Sequence, residues 1–380
     1  MRVSSQFDIV NKKIKIVLFL PDLGAGGAER VFANLANALA SKGFTLIILV
    51  GTLEKAAYVD VISPDVRVCE LGVRHMRSAV FPLLRFLRRE RPDVLISALE
   101  HANSAAILAA KLARTHTPVL ATIHQTLSRV LETTQSFRQR FLVRVALTIT
   151  PMANRIVAVS HGAADDFARL ANIPSKRIDV IYNPVIGPAL HQGVREPLDH
   201  PWFQPGRPPV VLGVGRLTPQ KDFQNLIRAF AAFRKTKEAN LFILGDGEER
   251  PSLERLVLEM ELGSCVSMPG VVPNPYAYMK GASLFVLSSA WEALPTVLVE
   301  AMACGCPVVS TDCKNGPTEI LHNGRYGRLV PVGDTESLAA AMNAALAEER
   351  VVVPPEVFEP YTFDFAVDQY CRLIGEMLHG

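Results

Sequence analysis

The feature that most limits what this chain can become is a rhythm. Strand-sized apolar runs alternate with stretches of helical periodicity, and the series runs twice. KIKIVLFLP (13–21) reads as a buried strand, and GAGGAERVFANLANALASKG (24–43) as a glycine loop and an amphipathic helix ending at Gly43. TLIILV (45–50), DVLISA (93–98), VLATIH (119–124), RIVAVS (155–160) and DVIYNP (179–184) follow as further strands. Strands separated by helices in this way mark parallel βαβ units with helices on both faces. From Asn183 the texture changes: NPVIGPALHQGVREPLDHPWFQPGRPP is proline-rich and has no apolar period, so it reads as a linker. A second series opens at 210 with VVLGVG, then LFILGDG (241–247), VSMPG (266–270), LFVLSSA (284–290) and PVVSTD (307–312). Helical patterns at 222–235 and 252–263 separate its strands, and 361–380 reads as a last helix.

The expected organisation is an N-terminal tail (1–13), a first Rossmann-like domain (14–185), a linker (186–208), a second Rossmann-like domain (209–360) and the closing helix. A chain of 380 residues is long enough for two such cores. The fold class is α/β, with two doubly wound domains facing each other across a cleft. Ligands of open α/β sheets bind at the carboxyl ends of the strands, so the chemistry belongs in the loops just after them.

Charge is unevenly spread. Residues 1–190 carry 24 Lys or Arg against 14 Asp or Glu, and residues 191–380 carry 16 against 23, a net of +10 and −7. The basic half suits an anionic partner, either a membrane surface or a phosphorylated acceptor, or it reflects no more than Arg-rich helices. The segment VRHMRSAVFPLLRFLRRER (73–91) interleaves Arg with Phe and Leu. That pattern fits a helix lying on an anionic membrane, and equally one packed on its own sheet. The six cysteines form no disulfide framework and lack zinc spacing. No apolar leader or spanning run is visible, so a cytoplasmic protein is expected, with any contact on the inner face of the membrane being peripheral. Neither a nucleic-acid partner nor a cofactor is expected.

The richest stretch is SSAWEALPTVLVEAMACGCPVVSTDCKNGPTEIL (288–321). A strand ends at Ser288 and Ser289, and a loop carries Glu292. Pro295 suits the first turn of the following helix, and Glu300 lies on that helix. Amides near Leu294, Pro295 and Thr296 offer a phosphate seat, Glu300 can accept from a ribose diol, and Glu292 can reach sugar hydroxyls. In GVGRLTPQKDFQNLIRAF (213–230), Arg216 and Lys221 sit between a strand and a helix, where two cations can neutralise a diphosphate. PDLGAGGAER (21–30) follows the first strand. Its glycines let backbone approach a ligand closely, but Glu29 stands where G-x-G-x-x-G needs its last glycine. His124 ends another strand.

These segments resemble glycosyltransferase family 4, whose members have the GT-B fold. The resemblance runs from about residue 14 to the last helix. It rests on Glu292, Pro295, Glu300, Ala301, Gly305, Pro307 and Val308 in an E-x7-E run, and on a G-R-x5-K-D element at Arg216 and Lys221. Ala293 departs from the glycine common there, which bears on the backbone beside the sugar. The resemblance implies that Arg216 and Lys221 hold the donor diphosphate. It places the Gly26–Gly27 loop against donor phosphate and acceptor, His124 near the donor sugar and Val272 near the base. It puts the crossing between domains at Asn183 and Pro184, and returns the last helix to the first domain. It further implies a retaining transfer from a nucleotide sugar, with UDP the commonest carrier. The acceptor would be a glycan or a lipid-diphosphate-linked glycan in bacterial surface polysaccharide synthesis.

No D-x-D triplet occurs in the sequence, so protein cations are expected to do the electrostatic work of a metal. A nucleotide-sugar epimerase of the same fold is the alternative; the paired G-R-x5-K-D and E-x7-E elements argue against it. The missing G-x-G-x-x-G speaks against a nicotinamide dehydrogenase, and the presence of both carboxylates against a non-catalytic binding module.

Overall fold

The computed structural model describes residues 14–24, 26–54 and 56–379; the expected N-terminal tail lies outside them. Among the described residues, seven parallel strands form a first sheet. They are β1 (Lys15–Leu20), β2 (Thr45–Val50), β3 (Val66–Glu70), β4 (Val94–Ala98), β5 (Val119–Ile123), β6 (Arg155–Ala158) and β7 (Ile178–Val180), in the order β3-β2-β1-β4-β5-β6-β7. Six more form a second sheet: β8 (Val210–Val214), β9 (Asn240–Leu244), β10 (Val266–Gly270), β11 (Leu284–Leu287), β12 (Val308–Thr311) and β13 (Arg328–Val330), in the order β10-β9-β8-β11-β12-β13. Each sheet reverses direction once, between β1 and β4 and between β8 and β11. Such reversals open a crevice at the strands' carboxyl ends.

The central strands are apolar because helices cover both their faces. Val17 and Phe19 face one buried cluster, while Ile16, Leu18 and Leu20 face another. The helix Gly27–Ser41 buries Val31, Phe32, Leu35 and Leu39, one apolar stripe at helical spacing. It ends before Gly43, whose φ of +94° a side chain would strain. The helix Phe363–His379 lays Val367, Tyr370, Leu373 and Ile374 into the same cluster as Phe32 and Leu35. The C-terminus therefore packs on the first sheet, where Arg155 also pairs with Glu376 at 2.7 Å.

The chain crosses between the sheets twice, and the two crossings lie side by side. Val185 and Ile186 both donate amides to the Tyr361 carbonyl, at 2.9 and 3.1 Å, and Ile186 bridges to Thr362. Phe363 fills the space a side chain at Gly187 would need. The proline-rich segment after this crossing is ordered, which the lack of periodicity did not suggest. It holds the helix Pro188–Gly193, and Trp202 and Phe203 stack edge-on against Phe242 of β9. Individual rings pin it, so no repeating pattern is required.

Candidate functional site

The loops at the carboxyl ends of the two sheets meet. After β8, the sequence GRLTPQKD turns tightly under β9's loop. Gly245 has φ +136°, and a Cβ there would fall 1.9 Å from the Gly215 carbonyl oxygen, so only glycine permits the contact. This packing presents an exposed Arg216 and a half-buried Lys221. Asp222 then caps the helix Phe223–Arg234, accepting from the Asn225 amide.

Lys221 Nζ lies 2.5 Å from Glu292 Oε1. Glu292 is 5% exposed, in the loop after β11. The Ser289 hydroxyl donates to the same oxygen at 2.7 Å, and Gln220 Nε2 to Oε2 at 3.2 Å and to the Trp291 carbonyl at 3.0 Å. A buried carboxylate is tolerable when its lone pairs are satisfied in this way. The backbone of this loop is tied to the opposite domain: Thr126 Oγ1 donates to the Glu292 carbonyl at 2.7 Å, and Ser160 Oγ to the Ala293 carbonyl at 2.6 Å. Leu294 and Pro295 are buried behind it. Pro295 occupies the cap position, and the helix proper is Thr296–Ala303, so the proline precedes the first turn rather than entering it.

One turn into that helix, Glu300 is 2% exposed. Its Oε1 accepts from Arg30 Nη2 at 2.6 Å, across the cleft from the helix Gly27–Ser41. Tyr276 stands beside Glu300, near enough to favour its charged form. Burial pushes the Glu300 carboxyl up, and the Arg30 guanidinium opposes that rise. Burial, followed by the neighbouring Glu300 charge, pushes the Tyr276 phenol up to about 12. Glu29 feels the Arg216 charge, and Glu300 that of Lys221, so all these groups share one electrostatic cluster.

The first domain supplies the rest. A Cβ at Gly26 would meet only the Glu29 carboxylate folded back over it, a flexible group that can move aside, and Gly27 faces open space, so local packing demands glycine at neither position. His124 Nε2 lies 2.9 Å from Thr122 Oγ1, while its Nδ1 is closed off from solvent and has no hydrogen-bond partner among the described residues. Burial pushes this imidazole down to about 4, so it is neutral at ordinary pH. Val272, partly buried in the loop after β10, lies on the strand-end side of the second sheet.

The structure thus joins Glu292 to Lys221 directly and sets Glu300 and Arg216 in the same charge cluster. Arg30, Tyr276, Ser289 and Gln220 were not singled out from the sequence. A second group without a partner also escaped it. Leu99, just after β4, has φ +73° and ψ +143°, a strained setting for leucine, and Glu100 Oε1 beyond it is shut off from solvent and unpaired among the described residues. Their only sequence signal is an acidic residue directly following an apolar strand. Among the described residues, no group of three or more His, Cys, Asp or Glu is arranged to hold a metal ion.

Comparison with known proteins decides the family. Residues 25–186 match the model for Glycosyltransferase Family 4, and residues 194–356 match that for Glycosyl transferases group 1. The lipopolysaccharide core biosynthesis glycosyltransferase LpsE of Rhizobium meliloti is 30% identical over 86% of this chain and 87% of its own length. The chain is a family 4 glycosyltransferase. Another relative is a Campylobacter jejuni 4-alpha-N-acetylgalactosaminyltransferase named for an N-acetylgalactosamine-N,N'-diacetylbacillosaminyl-diphospho-undecaprenol substrate. It is 27% identical over 89% of this chain and 91% of its own length. Among solved structures, Anabaena HepE with bound UDP superposes with a TM-score of 0.73 at 20% identity, covering 96% of this chain and all of HepE. That likeness establishes the GT-B fold of this glycosyltransferase. Belonging to a family of transferases sets aside the epimerase alternative. No described helix is long and apolar enough to cross a membrane.

Proposed function

We propose that this glycosyltransferase moves a sugar from a UDP-sugar to a glycan or lipid-diphosphate-linked glycan in surface polysaccharide synthesis, with retention and without a metal. The observation carrying this reading is the buried Lys221–Glu292 pair beside Glu300, in a cleft lined by both domains. The names of LpsE and of the undecaprenol-linked transferase support the acceptor class, and UDP in HepE the donor.

In this reading Glu300 accepts from the ribose hydroxyls, with Val272 beside the base. Arg216 and Lys221 stabilise the diphosphate, whose charge grows as it leaves, aided by the positive end of the Thr296–Ala303 helix rather than by amides of the Leu294–Thr296 turn, since Pro295 has no N–H and the Thr296 amide donates to the Leu294 carbonyl at 2.9 Å. Gly26 and Gly27 allow backbone to approach the phosphate and acceptor. The acceptor hydroxyl attacks the anomeric carbon as the bond to the β-phosphate oxygen breaks. Retention follows if attack comes on the face the phosphate leaves, with a leaving oxygen taking the acceptor proton. Glu292, held by Lys221, Ser289 and Gln220, positions the sugar and offsets positive charge at its ring. His124, neutral and with Nδ1 free, suits a hydrogen bond to a sugar hydroxyl.

An exposed surface on the first domain supports action at a membrane. The helix Phe137–Ile149 leaves Phe137 80% and Phe141 55% exposed among the exposed Arg138, Arg140 and Arg144. It packs on the helix Glu100–Ala113, which in turn packs on Val80–Glu90, where Phe81 is exposed beside Arg85. Helix Val80–Glu90 buries Leu83, Phe86 and Leu87, so it is packed on its own domain while adding to a basic, apolar outer face. The deciding experiment for the chemistry combines UDP-sugars with polyprenyl-diphosphate glycan acceptors in excess EDTA and reads the product's anomeric coupling by NMR. Transfer with retained configuration is expected. Dependence on added Mg²⁺, or an inverted product, would overturn the corresponding part of the proposal.

A further inference from the structure

Arg30 stands where two partners compete for it. It occupies the fourth position of a fifteen-residue helix, near the end where aligned peptide dipoles disfavour a cation, so it needs an anion to face. That anion is Glu300, 2.6 Å away on the opposite domain. Glu300 Oε1 already receives a hydrogen bond from Arg30, and Tyr276 stands close by. A ribose diol arriving with two donors of its own therefore competes with Arg30 for that oxygen. Tyr276 belongs to the same domain as Glu300 and travels with it. Arg30 is the group on the far wall, its side chain 35% exposed.

Charge counting shows where it would turn. Arg30, Arg216 and Lys221 face Asp22, Glu29, Glu292 and Glu300, three cations against four carboxylates, so the cluster has no cation to spare. A nucleoside diphosphate adds negative charge beside Arg216 and Lys221, and Lys221 is already committed to Glu292. If ribose takes over Glu300, the cluster's net charge is unchanged but Arg30 is released toward the phosphates. Its planar guanidinium can then bind phosphate oxygens in a bidentate manner.

We propose that Arg30 is a donor-exchanged positioning residue. It pairs with Glu300 until ribose hydroxyls take its place there and hand it over to the donor diphosphate. The first domain would then hold the donor by its phosphates while the second holds it by its nucleoside. This rests on the reading of the site as a UDP-sugar site.

The test compares uridine and UDP, which differ only in the phosphates. Their affinities are measured by competition against a labelled UDP-sugar, for the wild type and for Arg30→Gln, Arg30→Lys and Glu300→Gln. Arg30→Gln should bind uridine several-fold more tightly, because nothing need be displaced from Glu300, yet bind UDP at least tenfold more weakly. Arg30→Lys should keep part of the UDP affinity. In a Glu300→Gln background, removing Arg30 should no longer improve uridine binding but should still weaken UDP. A role in holding the fold would move both ligands together, so a loss common to both, or no change in either, overturns the proposal. If the wild type binds neither the labelled UDP-sugar nor UDP, the UDP-sugar reading falls and takes this one with it. If the wild type binds UDP and Arg30→Gln leaves the uridine-to-UDP ratio unchanged, only this inference fails.

Discussion

Replacing Lys221 by alanine separates its structural and chemical roles. Its ammonium and the Glu292 carboxylate lie 2.5 Å apart, with side chains 16% and 7% exposed. Truncating one partner of such a pair leaves a buried charge, which costs about 3–5 kcal/mol. Ser289 and Gln220 still donate to Glu292, which favours the lower end, about 3 kcal/mol. For a domain of this size each kcal/mol lowers Tm by about 2–4 °C, so Lys221→Ala should melt about 6–12 °C below wild type. The double variant Lys221→Ala/Glu292→Gln removes the orphaned charge and should regain most of that loss. Activity should not follow, because a preorganised cation at a developing anion is worth about 10²–10³ in rate. Calorimetry alongside turnover per folded molecule reads both quantities. A single variant melting within a degree of wild type, with the double no more stable than the single, would refute the buried-pair argument. Normal turnover per folded molecule would refute the placement of Lys221 at the diphosphate.

Other changes test neighbouring parts of the site. Glu300→Ala should weaken UDP-sugar binding by about 1.5–3 kcal/mol in titration calorimetry, the worth of a charge-assisted bond; equal donor affinity would contradict its role. His124 makes stability pH-dependent. Its folded pKa, about 4, lies below that of an unfolded histidine, so the unfolded chain binds more protons between these values. Its contribution is complete above about pH 6.5 and is lost as pH falls toward 4, by about 2–3 kcal/mol. Urea titrations across that window should show a shallower slope for His124→Asn, and an identical slope would count against a neutral buried imidazole. Phe137→Ser/Phe141→Ser should lose sedimentation with anionic vesicles at low salt while its melting temperature stays put. Equal sedimentation with neutral vesicles in the wild type would speak against an electrostatic surface.

The sheets were legible because buried parallel strands write themselves as unbroken apolar runs. LFILGDG holds all of β9 except Asn240, and TLIILV is β2 residue for residue. β3 was missed because it is an edge strand, VRVCE, whose Arg67 and Glu70 are exposed and break the run. β13 was missed because three residues, Arg328–Val330, carry no period. For the site, the sequence shows which residue types follow which strands, but not what lies across the cleft. Arg30 and Glu300 are 270 positions apart, and no local pattern links them. Glu100 and the strained Leu99 were invisible for a related reason: a backbone angle and an unpaired oxygen are properties of the packed molecule.

The side-by-side crossings near Ile186 and Thr362 have a mechanical consequence. A single connecting strand is a tether, about which two bodies can swing and twist freely. Two strands held by the Tyr361 carbonyl and by the tilted ring contact of Tyr182 with Tyr361, centroids 4.9 Å apart, are built like a door hinge. Such a pair of crossings resists twist more than bending, so the expected motion is a single rotation that opens or closes the cleft between Arg30 and Glu300. One distance, from a label on the Gly27–Ser41 helix to a label on the Thr296–Ala303 helix, would then describe the whole opening motion. Unpinning the second strand, for instance by replacing Phe363 beside Gly187, would broaden that distance distribution without shifting its closed value.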